Sequence, residues 1–197
     1  MARKVVILII AVCFAIINSP LKANAETVSN LTVKQLIVKH SMELGLDPAL
    51  ALSIAKAESG FCHDKRSRYG AIGVFQLMPA TAKRMGFNPY QLQDNIKGGI
   101  TYYKKMYNMF GSTELALAAY NAGPGNVKKY NGIPPFMETR KFVSSIMSNY
   151  NNLKLHPDPA IAQYKNAIKE LANEISEEDF RMQQDAILKA YLSNQGI

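Results

Sequence analysis

Apolar residues recur along most of this chain at the three- and four-residue steps of a helix, and rarely at the two-residue step of a strand. Leu31, Leu36, Ile37, His40 and Leu44 form one stripe that stops at Gly45. Asp47-Pro48 reads as an N-cap with proline in the first turn, and good helix formers continue from Ala49 to Glu58. Gly60 follows where a helix C-terminus favours glycine. A short helix is expected from Pro79 to Met85, closed by Gly86, and a longer one capped by Asp94 and running to about Phe110. Thr113 to Tyr120 and Pro135 to about Tyr150 complete this half.

Between Glu58 and Pro79 the pattern changes, with Gly60, Gly70, Gly73 and a basic cluster of Lys65, Arg66 and Arg68. The apolar run Ala71 to Met78 is too short to classify by period and suits a small hairpin or an irregular loop. Gly98-Gly99 and Gly123-Pro124-Gly125 lack the lysine and spacing of a phosphate loop and read as backbone turns. With no βαβ alternation, the fold class is mainly α. From Asn149 to Pro159, a run of asparagines and two close prolines suggests a linker. Beyond it, Ile161, Tyr164, Ile168, Leu171 and Ile175 share a helical face. Ser176 to Asp179 suggests a capping box opening a second helix with Phe180, Ile187, Leu188 and Leu192.

The N-terminus has a different pattern again. Arg3 and Lys4 precede an unbroken apolar run from Val5 to Ile17, and Ala23-Asn24-Ala25 supplies a small-x-small cleavage pattern. Residues 1–25 are therefore expected to be a signal peptide, removed on export. Three regions follow: 1–25, a domain over 26–151, and a helical C-terminal extension over 152–197. Cleavage removes Cys13 and leaves Cys62 without an intramolecular partner, so stability must come from packing.

Composition sharpens this outline. The chain of 197 residues is 48% hydrophobic and 19% charged, which excludes a disordered tail. Its net charge of +8 fits nucleic acid, an anionic membrane or an acidic polymer. The charge is unevenly placed. Residues 26–151 carry 15 Lys+Arg against 8 Asp+Glu, whereas 152–197 carry 5 against 7. An exported chain whose basic residues lack interleaved aromatics favours the acidic polymer, with no nucleic acid and the membrane met only during export.

Glu58-Ser59-Gly60 is the first candidate for chemistry. A carboxylate in the last turn of a helix faces the negative end of the macrodipole, and apolar surroundings disfavour its ionised form further. A neutral carboxyl near pH 7 is what a general acid needs to protonate a glycosidic oxygen. Two segments accompany it: Ser67-Arg68-Tyr69-Gly70-Ala71-Ile72-Gly73-Val74-Phe75-Gln76-Leu77-Met78-Pro79, and Ala119-Tyr120-Asn121-Ala122-Gly123-Pro124-Gly125.

With these blocks in order, the sequence over roughly 34–150 resembles lytic transglycosylases with a soluble-lytic-transglycosylase catalytic domain, relatives of goose-type lysozyme. The stretch Asn95-Ile96 through Gly98-Gly99 into Tyr102-Tyr103, and the closing Met137-Glu138-Thr139-Arg140-Lys141-Phe142-Val143, also fit. The resemblance implies a lysozyme-like fold with little or no β structure. It implies Glu58 as catalytic acid/base and Ser67 as a serine near that glutamate and the substrate. Gln76 and Met78 would line sugar subsites, with Tyr120 and Asn121 as a floor near the glutamate. Phe142 stands where the family favours tyrosine, and Tyr150 is a candidate substitute for the missing hydroxyl. The loop Cys62-His63-Asp64-Lys65-Arg66 is unlike the family's usual asparagine- and alanine-containing segment.

The reaction so implied cleaves the β-1,4 bond between N-acetylmuramic acid and N-acetylglucosamine of peptidoglycan and leaves a 1,6-anhydro ring, without metal or cofactor. Glycoside hydrolysis instead uses two carboxylates, and Asp64 is the nearby candidate for the second. A hydrolytic muramidase and a non-catalytic peptidoglycan-binding protein are the alternatives. His40, His63 and His156 are not at metal-ligand spacing. Periplasm or cell wall is the expected location. A short exported chain of this type also resembles the accessory enzymes of secretion, conjugation or pilus machines, engaged through 152–197.

Overall fold

A computed structural model describes residues 32–170 together with Asn173, Glu177, Asp179, Arg181 and Met182. The expected signal peptide and most of the second C-terminal helix lie outside these residues. One compact unit spans Leu31–Tyr164. Its helices are α1 (Val33–Glu43), α2 (Pro48–Ser59), α3 (Pro79–Arg84), α4 (Leu92–Phe110), α5 (Thr113–Ala122), α6 (Pro124–Tyr130) and α7 (Met137–Leu155). Residues 159–170 are also helical.

Helix ends follow from local chemistry. Thr32 and Gln35 form a capping box on α1. The Asp47 carboxylate accepts the Ala49 N–H at 2.9 Å to open α2, and Gly60 closes it with a left-handed φ of 64°. Where the structure departs from expectation, tertiary packing explains it. Asp94 does not cap α4, which begins two residues earlier; its carboxylate instead accepts the Asn88 N–H at 2.9 Å. Gly98 and Gly99 are not a turn but lie inside α4. A Cβ on Gly98 would meet Leu77 at 2.8 Å, and one on Gly99 would collide with the Phe75 ring. Gly123-Pro124-Gly125 is likewise no simple turn, because Pro124 starts α6. The segment expected to be a linker from 149 is helical to Leu155, and Ala160 and Ile161 are buried in the core.

Ile37, Leu52, Ile54, Phe75, Ile96, Ile100, Met106, Leu117 and Ile146 centre the core. Helix α7 runs antiparallel to α2. At one end, Lys154 and Tyr150 both reach the Asp47 carboxylate, at 2.8 and 3.1 Å. Midway, Asn149 donates to Ser53 at 2.9 Å and accepts from Lys56 at 2.9 Å. This pairing carries the start of α7 toward the C-terminal end of α2.

The segment between α2 and α3 holds two isolated antiparallel bridges, Arg66 with Ile72 and Ile72 with Leu77, and no strand. Its order comes from α4. Asn95, fully buried, accepts the Phe75 N–H at 2.9 Å and donates to the carbonyls of Ile72 at 2.8 Å and Pro89 at 3.1 Å. Gly73, at φ 79°, has no room for a Cβ, which would stand 2.5 Å from Asn95 Nδ2. The spacing from Asn95 to Gly99 is thus a clamp on the loop, built from one amide and two absent side chains.

Candidate active site

A cleft of about 760 Å³ opens between the end of α2, the loop it feeds, α4, α5 and the start of α7. Glu58, Ser67, Gln76, Met78, Tyr120 and Asn121 all line it. Tyr150 does not. Its hydroxyl is bound to Asp47 at the first turn of α2, while Glu58 is in the last. At 1.5 Å per residue the two ends of α2 stand roughly 16 Å apart. Tyr150 therefore does not supply the hydroxyl that Phe142 lacks. Asp64 is exposed and outside the cleft lining.

Glu58 is brought to the wall by tight anchoring of its neighbour. Ser59 is buried and donates to the Val74 carbonyl at 2.8 Å, tying the helix end to the loop. Loss of solvent pushes the Glu58 carboxyl up to about 8, from an ordinary 4.5. Lys65 opposes that rise and Glu138, a second carboxyl in the cleft, adds to it. The Lys65 ammonium donates to the main-chain carbonyl of Glu58 at 2.6 Å.

The other groups divide into held and available atoms. Tyr120 is buried and donates its hydroxyl to the Phe75 carbonyl at 2.8 Å, so its ring is what meets the cleft. Tyr102 packs on that ring at 5.1 Å between centroids, and Phe142 stacks on it at 6.5 Å. Ser67 accepts the N–H groups of Tyr69 and Ala71 at 3.2 and 3.0 Å and keeps its own proton to donate. Gln76, at φ 44°, commits its amide nitrogen to the Gly73 and Lys65 carbonyls, leaving its carbonyl oxygen as an acceptor. Asn121 accepts from Thr139 at 2.8 Å and retains its amide nitrogen. Met78 is 43% exposed and offers an apolar surface.

Lys65, Tyr69, Tyr102, Glu138 and Lys141 also line the wall, beyond the site residues that the sequence suggests. The basic cluster and the Glu138-Thr139-Arg140 block were the signals available for them. Among the described residues no group of three or more His, Cys, Asp or Glu is placed to hold a metal ion. His40 is buried, which holds its ring below its ordinary value, and its Nδ1 contacts Glu43 at 2.8 Å. His63 contacts the Tyr90 carbonyl at 3.0 Å, and Cys62 is exposed.

A mainly helical fold with a raised carboxyl in an open cleft fits a lysozyme-like domain. Residues 35–143 match the family described as the transglycosylase SLT domain, and the chain belongs to that family. It is 32% identical over 122 residues to the transglycosylase of Enterobacteria phage PRD1, covering 61% of this chain and 44% of that one. It is 31% identical over 143 residues to the soluble lytic murein transglycosylase of Escherichia coli K12, covering 60% of this chain and 22% of the relative. The chain thus spans less than half the length of these relatives. Among solved structures, the lytic transglycosylase Slt of Pseudomonas aeruginosa superposes with a TM-score of 0.55 at 30% identity, over 64% of this chain and 25% of that one. That structure is of an inactive mutant in which a glutamate is replaced by glutamine.

Proposed function

We propose that this chain is a peptidoglycan lytic transglycosylase that cuts the β-1,4 bond between N-acetylmuramic acid and N-acetylglucosamine, with Glu58 as its single acid and base. One observation carries the reading: a carboxyl raised to about 8 keeps its proton at pH 7 while lining an open cleft. Glu58 gives that proton to the glycosidic oxygen as the bond to the anomeric carbon breaks. The muramic acid's own acetamido oxygen takes the place of the leaving oxygen, forming a cyclic oxazolinium ion. Glu58, now a carboxylate, removes the proton of the sugar's 6-hydroxyl. The 6-oxygen then displaces the acetamido oxygen and closes the 1,6-anhydro ring. The proton is back on Glu58 and no water is consumed.

The surroundings suit this sequence of steps. Ser67 as donor, Gln76 as acceptor and the Asn121 amide fit acetamido and hydroxyl groups, while Met78 and the Tyr120 ring fit the apolar faces of sugars. The names of the relatives and the inactive glutamate-to-glutamine neighbour support the same reading. On this reading the chain works outside the cytoplasm, in the periplasm or cell wall, with residues 152–197 engaging a secretion, conjugation or pilus machine.

Glu138 supplies the observation that favours a second reading. A second carboxyl in the cleft meets the requirement of a hydrolytic muramidase, which activates water. Digestion of purified peptidoglycan followed by mass spectrometry separates the two. Anhydromuropeptides support the lyase, reducing-end products the hydrolase, and no release a binding protein. Glu58→Gln is expected to bind the polymer without cutting it; activity retained in that variant refutes the assignment.

A further inference from the structure

The loop between α2 and α3 brings the charge of Lys65 to the site. The Lys65 ammonium bonds the main-chain carbonyl of Glu58 at 2.6 Å and lines the same cleft as the Glu58 carboxyl. The rest of the residue is fixed to the loop. Its carbonyl accepts from Gly73 N at 3.0 Å, Arg66 at 2.9 Å and Gln76 at 3.2 Å. Lys65 is an exposed side chain on an anchored backbone, and the carbonyl that its ammonium bonds belongs to the same residue as the cleft carboxyl.

We propose that Lys65 is a positioning residue: its ammonium leaves the Glu58 carbonyl for the Glu58 carboxylate once that acid has given its proton to the glycosidic oxygen. No covalent bond to Lys65 forms or breaks. The proton goes from Glu58 to the leaving sugar, and Lys65 supplies the counter-charge to the anion left behind. The proposal rests on the reading of Glu58 as acid and base.

Other groups near Glu58 are less suited to that task. Glu138, on α7, is itself a carboxyl, and Tyr69, Tyr102 and Tyr120 offer no cation. Lys141 shares the cleft from α7, but Lys65 is the cation whose field acts on Glu58. Arg66 is occupied by the His63 and Lys65 carbonyls, and Arg68 lies over the Tyr69 ring at 4.6 Å. An opposite charge within about 4–6 Å favours an ionised carboxyl. Lys65 therefore acts against burial and Glu138, keeping the proton of Glu58 transferable near neutral pH.

The test compares Lys65→Met, Lys65→Gln and Lys65→Arg in the full chain, after circular dichroism and thermal melts establish folding. Glu58 is titrated directly by carboxyl carbon NMR, and kcat and KM for peptidoglycan are measured across pH. Both neutral variants are expected to move the Glu58 midpoint upward by about half a pH unit or more. They should lower kcat about tenfold with KM changed less than about threefold, and Lys65→Arg should restore most of both effects. An unmoved Glu58 midpoint in the neutral variants, or a loss confined to KM, overturns the proposal. Failure of the parent reading looks different: Glu58→Gln then stays active whatever the Lys65 variants do. A neutral variant that does not fold also overturns it, because Lys65 is then a structural cap of α2.

Discussion

Replacing Glu58 by glutamine should make the protein more stable and, on the proposed function, inactive. The exchange keeps the shape of the protonated carboxyl and removes its titration. Glu58 ionises near 4.5 in an unfolded chain and at about 8 in the fold, so over that interval folding must retain a proton that the unfolded chain releases. Each pH unit of such retention costs about 1.4 kcal/mol, giving an upper value of about 3 kcal/mol at pH 7. Water in the open cleft screens part of this, so about 1–3 kcal/mol is the expected gain. In a domain of this size that is roughly 3–9 °C in Tm. The sign follows from the direction of the shift. The favourable contribution of a raised carboxyl is whole below pH 4.5 and is lost as pH rises through about 8. The gap between Glu58→Gln and the parent chain should therefore be near zero at pH 4.5, widen through neutrality and level off above pH 8. Urea denaturation at four or five pH values measures it. A gap that is the same at pH 4.5 and pH 8 refutes the idea that burial of this carboxyl is maintained at the expense of stability.

Three further substitutions probe the scaffold. Asn95→Ala removes the partner of the buried Phe75 N–H and the amide donor to the Pro89 carbonyl, while the Ile72 carbonyl keeps the Leu77 N–H, and should cost about 2–4 kcal/mol in denaturation. Gly99→Ala drives a methyl group into the Phe75 ring and should cost about 1–3 kcal/mol, seen as a lower Tm. Tyr150→Phe removes the 3.1 Å bond to Asp47, so it should cost about 1 kcal/mol or less and leave the proposed peptidoglycan cleavage unchanged. A large loss of activity in Tyr150→Phe would contradict its position outside the cleft.

What could be read from sequence was what short-range chemistry controls. Asp47-Pro48 and Gly60 mark the ends of α2 because capping is settled within a turn, and the mainly helical class follows from periodicity. Glu58 could be singled out because its position in the last turn has an electrostatic meaning of its own. Gly98-Gly99 could not be placed by the same logic. Glycine ordinarily weakens a helix, and the Phe75 and Leu77 side chains that require it come from another part of the chain. Asp94 looks like a cap, but its carboxylate serves the Asn88 N–H instead. Tyr150 failed as a cleft residue through helix direction, since only the antiparallel pairing of α7 with α2 fixes which end it meets. Lys65 and Glu138 gain their electrostatic meaning from the three-dimensional path of the loop and of α7 around Glu58.

The Asn95 clamp also gives this molecule a single-atom clock. The Phe75 amide hydrogen is held by a side chain of α4 and not by a neighbouring strand, so it exchanges with solvent only when loop and helix part. Exchange at that one position, followed with and without a bound glycan, would time the opening of the loop that carries Gln76 and Met78. A ligand that grips the loop should slow it, and one that merely rests on the rim should leave its rate alone.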